Sequence, residues 1–521
     1  MPRAARHIRA ATVAAGLVAG AGLMPAAALA EGELKFQDRM AALGLAEPGY
    51  GWHAYHDAVV CADWDRDGDV DVLVVVSPHE KGPLGRQGRM LVNLLTETGK
   101  LAFADRTEKL IPAGTQKKVM ADGAPFFFDV DADGDLDLCS ISDESRPVTF
   151  LNDSGTFKLA AWGFSAQHCT IRDVNGDGLL DVIGDDTGAL YVNAGKGKYR
   201  RGKYADQMSG HMPRSKVLPA PDGVEVDEPA RKQAAGSGHV YYFWRRCDID
   251  GDGQSDWHLA LSQAYGFKLL RFYARRGAAY ADVTAETHLP TAAQVKLADL
   301  NGDGRLDAVA MGKGVGGVFL GDGKGRFRPA GRSDANKLFR ITTGGCYTHP
   351  QAIVDFDNDG VLDVLTCQPR VGSGSAVLRG LGQGRFERVL HTRASSGQAL
   401  ADLDNDGRLD VVASGGRRSQ GLHVWLNASP AGNHWLKLRL TGPPTNPQAV
   451  NAVVAAYKPG RGGQAAALIA QAQAGPDALP VHLGLGKAAV VDLRVTFAPG
   501  AVKELKAVKA DRHLDVSSTG K

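Results

Sequence analysis

One nine-residue pattern, D-x-[DN]-x-D-G-x-x-D, recurs seven times in this chain of 521 residues and limits its fold more than any other feature. The copies begin at Asp63, Asp129, Asp173, Asp248, Asp299, Asp355 and Asp402. Position 3 is Asp65, Asp131, Asn175, Asp250, Asn301, Asp357 and Asp404. Position 5 is Asp67, Asp133, Asp177, Asp252, Asp303, Asp359 and Asp406, and position 9 is Asp71, Asp137, Asp181, Asp256, Asp307, Asp363 and Asp410. Gly holds position 6 throughout. Alternate oxygen side chains in a tight turn suit a hard cation, and calcium takes roughly six to eight oxygens from carboxylates, amides and backbone carbonyls. Position 7 shares no side-chain chemistry, as expected where only its carbonyl would ligate. All twenty-eight side chains are therefore candidate metal ligands, for up to seven calcium ions.

The flanks exclude an EF-hand, which closes on Glu at its twelfth position and sits between helices. Here short β-branched runs lead in and out, such as Ala352-Ile353-Val354 and Leu362-Asp363-Val364-Leu365. Successive motifs are 66, 44, 75, 51, 56 and 47 residues apart. The shorter spacings match a four-stranded propeller blade of roughly 40–50 residues. The expectation is an all-β fold: a seven-bladed β-propeller over 31–427, followed by a small β-rich C-terminal domain over 428–521. Each blade's last strand opens on an aromatic: Phe103, Phe157, Tyr199, Tyr280, Phe327 and Phe386. The last blade lacks one, but Phe36-Gln37-Asp38-Arg39 matches Phe103-Ala104-Asp105-Arg106. The N-terminal segment is therefore expected to supply that strand and close the ring, removing exposed sheet edges. The Pro/Gly/charge-rich stretch 204–238 reads as a long insertion loop over one face, with smaller insertions at 77–89 and 105–123.

The seven loops resemble the FG-GAP/VCBS repeats of integrin-type β-propellers. The C-terminal part is similar to an ASPIC/UnbV domain. That resemblance rests on Asn433-His434-Trp435-Leu436, Asn451-Ala452-Val453, His482-Leu483-Gly484-Leu485-Gly486 and Phe497-Ala498-Pro499-Gly500. The pairing resembles the cartilage-acidic-protein family and its bacterial relatives, which implies an extracellular, calcium-binding protein built for interaction more than catalysis.

The start of the chain reads as a secretory signal peptide over 1–30. Arg3, Arg6 and Arg9 precede an apolar segment, and Ala28-Leu29-Ala30 offers cleavage after Ala30. No later apolar run is long enough to span a bilayer. The expected location is secreted, periplasmic or cell-surface, where disulfides form. Six Cys are present, with Cys346 and Cys367 flanking one loop as the best disulfide candidate and isolated buried thiols as the alternative. Without residues 1–30, 57 basic residues meet 58 acidic ones. Filling the loops with calcium would leave the remaining surface basic, which suits anionic glycans or anionic surfaces. Nucleic acid is an unsuitable partner for an exported chain.

Two functional classes follow. The favoured one is a non-enzymatic, calcium-stabilised module for adhesion or scaffolding, binding an extracellular glycan, matrix component or protein. The alternative is an enzyme. His53, His56, His168, His239 and His349 precede their loops by five to ten residues. If the strand before each loop lines the axis, they gather as ligands for copper, zinc or iron. A calcium-assisted polysaccharide lyase is a further enzyme option. Catalytic residues are not identified. Gly312, Gly314 and Gly317 fit G-x-G-x-x-G but run into a strand, so they read as a hairpin. There is no H-E-x-x-H or G-x-S-x-G.

Overall fold

The computed structural model describes residues 34–45, 58–75, 88–113, 115, 125–141, 147–160, 163–164, 169–184, 189–203, 208–211, 224–226, 240–252, 254, 256–263, 266–291, 293–313, 315–330, 339–341, 349–367, 375–392, 394–415, 422–464, 467–498 and 500–519. The expected signal peptide lies outside them.

The architecture is all-β and propeller-like. Each motif joins the first and second strands of its own antiparallel sheet, and its ninth residue opens the second strand. The first sheet runs Ala58–Ala62, Asp71–Val75, Arg89–Asn93, Phe103–Asp105, in spatial order. The second (Phe126–Phe128 to Thr156–Leu159), third (Cys169–Arg172 to Tyr199–Lys203) and sixth (His349–Val354 to Phe386–Thr392) repeat this four-strand meander. The fifth, Ala293–Ala298 to Phe327–Pro329, adds Arg340–Ile341 in parallel beside Asp307–Lys313. Gly312 and Gly317 lie in the antiparallel hairpin of that sheet.

The fourth sheet departs from the expected loop-only insertion. Met208–His211, inside 204–238, pairs with Val240–Cys247 as a fifth strand. Val224 forms a bridge to Tyr280 and is buried. Part of the insertion is thus ordered by free backbone groups at a sheet edge. Likewise 105–123 includes a one-turn helix, Thr107–Leu110.

The seventh sheet takes its fourth strand from the other end of the chain. Phe36–Asp38 pairs with Leu422–Asn427, register Phe36 to Asn427. The pairing extends on both sides, with Arg39 N–H donating to Val424 O and Ala428 N–H to Lys35 O. Phe36 meets Phe356 edge-on, with ring centroids 5.5 Å apart. All seven expected aromatics lie in the fourth strand of their sheet's meander.

Apolar faces of consecutive sheets pack together. Leu73 and Met90 of the first meet Phe127 and Phe150 of the second. Val59, Val72 and Leu91 of the first also share a core with Leu403, Val412 and Val424 of the seventh. Residues 434–517 form two more sheets. Their order is Val481–Gly486, His434–Thr441, Arg512–Ser517 and Leu468–Gln473, Val453–Tyr457, Val490–Thr496, Val502–Lys509. They enclose a separate core including Leu436, Leu438, Val454, Leu493 and Phe497. Each fully buried aliphatic side chain there contributes about 2 kcal/mol of transfer free energy.

Candidate metal centre

The loops are shaped by their own carboxylates. The side chain at position 5 accepts the N–H of position 7 in every copy, from Asp67 with Asp69 (3.0 Å) to Asp406 with Arg408 (2.9 Å). These are Asx-type turns, the local bond that Asp makes most readily. In five copies the Asp at position 1 accepts the Gly N–H of position 6, as Asp129 Oδ2 does from Gly134 at 2.9 Å. Position 4 is left-handed in each: Arg66, Ala132, Asn358 and Asn405 at φ 58–63°, and Gly176, Gly251 and Gly302 at φ 70–78°. That requirement was not visible in the motif.

The ninth residue has a second task that sequence reasoning missed. Its Oδ1 accepts a backbone N–H from the third strand: Asn93 to Asp71, Asn152 to Asp137, Asn193 to Asp181, Arg275 to Asp256, Gly321 to Asp307, Gly380 to Asp363 and Asn427 to Asp410, at 2.7–2.9 Å. In six copies Oδ2 also accepts the N–H of position 2, as from Val130 to Asp137 at 2.8 Å. All seven are essentially buried. This Asp fastens loop to sheet whether or not it also ligates.

Three third-strand Asn residues, Asn93, Asn152 and Asn427, link neighbouring sheets. Asn152 Nδ2 donates to Leu136 O in its own sheet and to Trp64 O in the first loop, at 3.1 and 3.0 Å. Asn427 does the same toward Leu409 O and Phe356 O, and Asn93 toward Val70 O and Leu403 O. Where Gly replaces Asn, the chains come too close for a side chain. A Cβ on Gly321 or Gly380 would stand 2.0 or 2.3 Å from a carbonyl oxygen, of Leu306 or Leu362.

Carboxylates converge within the loops. Oxygens of Asp63, Asp65 and Asp67 lie within 4.8 Å of one another, as do those of Asp129, Asp131 and Asp137, of Asp248, Asp250 and Asp256, and of Asp355, Asp357 and Asp359. In the first loop Asp67, Asp69 and Glu97 form a second group. Several buried oxygens there have no hydrogen-bond donor: Oδ1 of Asp63, Oδ2 of Asp67, Oδ1 of Asp69 and Oδ2 of Asp71. Asp131 Oδ1 in the second loop is the same. Burial, then the charges of Asp65 and Asp67, raises the Asp63 carboxyl to about 7. Burial raises Asp71 to about 10 and Asp137 to about 8. Unpaired buried anions are costly, and a divalent cation at the shared point removes that cost. The first two loops therefore fit a metal.

Protein cations also reach the loops: the charge of Arg439 acts on Asp63 in the first, and Arg66 Nη1 lies 3.6 Å from Asp135 Oδ1 in the second. Arg276 Nη1 contacts Asp250 Oδ2 at 2.8 Å and Arg305 Nη2 contacts Asp303 Oδ2 at 2.6 Å. In the sixth, Arg379 reaches Asp357 at 2.8 Å and Asp359 at 3.4 Å.

The expected transition-metal ligands are not brought into view. His53, His56, His168 and His239 lie outside the described residues. His349 opens its strand opposite Cys367, and both side chains are likewise undescribed. Cys346 is outside too, so the proposed disulfide falls beyond the described residues. Cys61 and Cys139 are buried thiols without a disulfide.

A family model described as an FG-GAP-like repeat matches residues 129–184, 299–366 and 355–413. The chain carries FG-GAP-like repeats. No curated protein matches the sequence. Among solved structures, an Agrocybe aegerita lectin that specifically recognises non-reducing terminal N-acetylglucosamine is 15% identical, TM-score 0.36, covering 75% of this chain and 93% of its own. The V. cholerae biofilm matrix protein Bap1 is 13% identical, TM-score 0.27, covering 72% and 77%. A Pseudomonas aeruginosa periplasmic gluconolactonase is 16% identical, TM-score 0.26, covering 72% and 95%.

The C-terminal sheets sit on the loops of the FG-GAP-like repeats. Gln448 Nε2 donates to Gly134 O at 3.1 Å and Asn451 Nδ2 to Ile171 O at 2.9 Å. Asn433 Nδ2 donates to Asp357 O at 2.9 Å. Trp435 lies flat enough on Gly407 that a Cβ there would be 1.9 Å from its ring, and Gly407 also has φ +87°, so only Gly fits. His482 Nε2 contacts Gly407 O at 3.0 Å, so that nitrogen carries the proton, and burial lowers the ring's pKa. No helix among the described residues is long and apolar enough to cross a membrane.

Proposed function

We propose that this chain is an exported, calcium-stabilised β-propeller of seven blades, 31–427, with a C-terminal domain, 428–521, and that it acts as a binding or scaffold module. The supporting observation is the first loop. Its carboxylates converge, are largely buried, and leave oxygens without donors. Oxygen-only donors of this number and charge suit calcium rather than copper or zinc. Asp63, Asp65, Asp67 and Asp71 would hold the ion with the carbonyl of Asp69, and the ion would neutralise the cluster. The fold then presents a rigid surface, and a glycan, matrix component or protein is the ligand class it serves.

In this reading the ring is closed by the strand Phe36–Asp38, supported by its pairing with Leu422–Asn427 and by the core shared between the first and seventh sheets. The C-terminal sheets contact the first, second, third, sixth and seventh loops, so the opposite end of the sheets is the side left for a partner.

The test is thermal melting of the mature protein after chelation, with and without added calcium. Saturation of one site at a hundredfold excess over Kd stabilises by about 2.7 kcal/mol, and several sites add. A melting temperature unmoved by chelation and by calcium would contradict the proposal. Glycan and matrix binding is then measured on the calcium-loaded protein.

A further inference from the structure

The seven motifs look equivalent in sequence, but their charge balance is not. In the seventh, Lys437 enters from the C-terminal sheets. Its Nζ lies 2.9 Å from Asp402 Oδ2 and 2.7 Å from Asn405 Oδ1. The side chains of Lys437 and Asp402 are only 4% and 1% exposed. Asp402 is thereby filled: Oδ2 also accepts the Gly407 N–H at 2.8 Å, and Oδ1 accepts the Asp406 N–H at 3.0 Å. A second cation, Arg408, pairs with Asp406 from within the loop. Asp63, the equivalent of Asp402 in the first loop, has a buried Oδ1 without a donor.

The placement of Lys437 follows from its strand. In His434–Thr441 the side chains of Leu436, Leu438 and Leu440 enter the C-terminal core. Trp435, Lys437 and Arg439 alternate to the other face. That face is normally solvated, but here it meets the loops: Trp435 on Gly407, Lys437 on Asp402, and Arg439 3.1 Å from the Cβ position of Gly68 in the first loop. A buried ammonium with two oxygen partners, one of them a carboxylate, is neutralised where it sits, and admitting a divalent ion would require expelling it.

We infer that the ammonium of Lys437 is the resident cation of the seventh loop, which holds no metal and instead serves as the socket through which the C-terminal sheets are fixed to the propeller. This rests on the calcium reading of the other loops. It makes that attachment independent of calcium at the seventh loop, while the first loop remains a metal site.

Native mass spectrometry of the mature chain in calcium, counting bound ions, tests the assignment. The Asp65→Ala variant should carry one ion fewer than the natural protein, and Asp404→Ala the same number. Loss of one ion in Asp404→Ala overturns the inference. Amine acylation followed by peptide mapping provides the second readout. Lys437 should stay unreactive in chelator and in calcium alike, and reactivity that appears on adding calcium overturns the inference, because it means the ion displaces the ammonium. If the natural protein binds no calcium, the calcium reading fails by itself, and protection of Lys437 in chelator still decides whether the socket exists.

Discussion

Asn93 tests whether the first and seventh sheets are joined as the geometry implies. It is fully buried. Its Nδ2 donates to Val70 O at 3.2 Å and to Leu403 O at 3.0 Å, and its Oδ1 accepts the Leu95 N–H at 3.2 Å. Asn93→Ala removes all three bonds and leaves two carbonyls and one N–H without that partner. Each buried group so orphaned costs about 1–3 kcal/mol. Carbonyls retaining another lone-pair partner fall at the low end, so the sum is about 3 kcal/mol, with little cavity cost for so small a side chain. Urea unfolding followed by tryptophan fluorescence measures the loss. Hydrogen exchange adds a signature that simple destabilisation does not give. Because Leu403 is 310 residues away in sequence, amides of 402–410 should exchange faster, while those of the fourth loop stay unchanged. A loss under about 1 kcal/mol, or no exchange change in the seventh loop, would refute the reasoning.

Three other outcomes are expected. Burial raises the carboxyls of Asp63 to about 7 and of Asp69 and Asp129 to about 6, above their usual range near 4. Groups raised in the folded state give stability that is full below about pH 4 and is lost as pH rises through 6 and 7. Calcium binds the deprotonated form, so the melting gap between calcium-loaded and chelated protein should widen from pH 5 to 8; a constant gap contradicts this. Lys437→Ala should destabilise the chelated protein by about 3 kcal/mol, since it strands a buried carboxylate, and an unchanged denaturant titration in chelator contradicts this. Deleting residues 31–42 removes buried Leu34 and the strand Phe36–Asp38, exposes the edge of Leu422–Asn427, and should cost about 4 kcal/mol with increased aggregation; unchanged melting contradicts that role.

The loops were legible because their determinants are local. Oxygens at alternate positions and Gly at position 6 act within nine residues, so Asp63 to Asp71 can be read without knowing the fold. The aromatic at the start of each fourth strand was legible too, and it led to Phe36. What remained hidden depends on neighbours distant in sequence. Asn or Gly at the end of the third strand recurs visibly, but the reason lies in the carbonyls of Trp64 and Leu403 that Asn152 and Asn93 reach, or in the carbonyls that crowd Gly321 and Gly380. Lys437 alternates with Leu436 and Leu438 and reads as a solvated lysine until the seventh loop is placed over it. Arg379 is hidden in the same way, since the sixth loop lies 22 residues before it. The insertion 204–238 carries little periodicity, so its edge strand Met208–His211 is specified by the free edge of Val240–Cys247 rather than by its own pattern.

Elemental analysis of the purified mature protein, without a histidine tag, tests the central claim most directly. The account predicts several calcium ions per chain and only traces of copper, zinc and iron. A protein free of calcium, or one carrying near-stoichiometric transition metal, would contradict it.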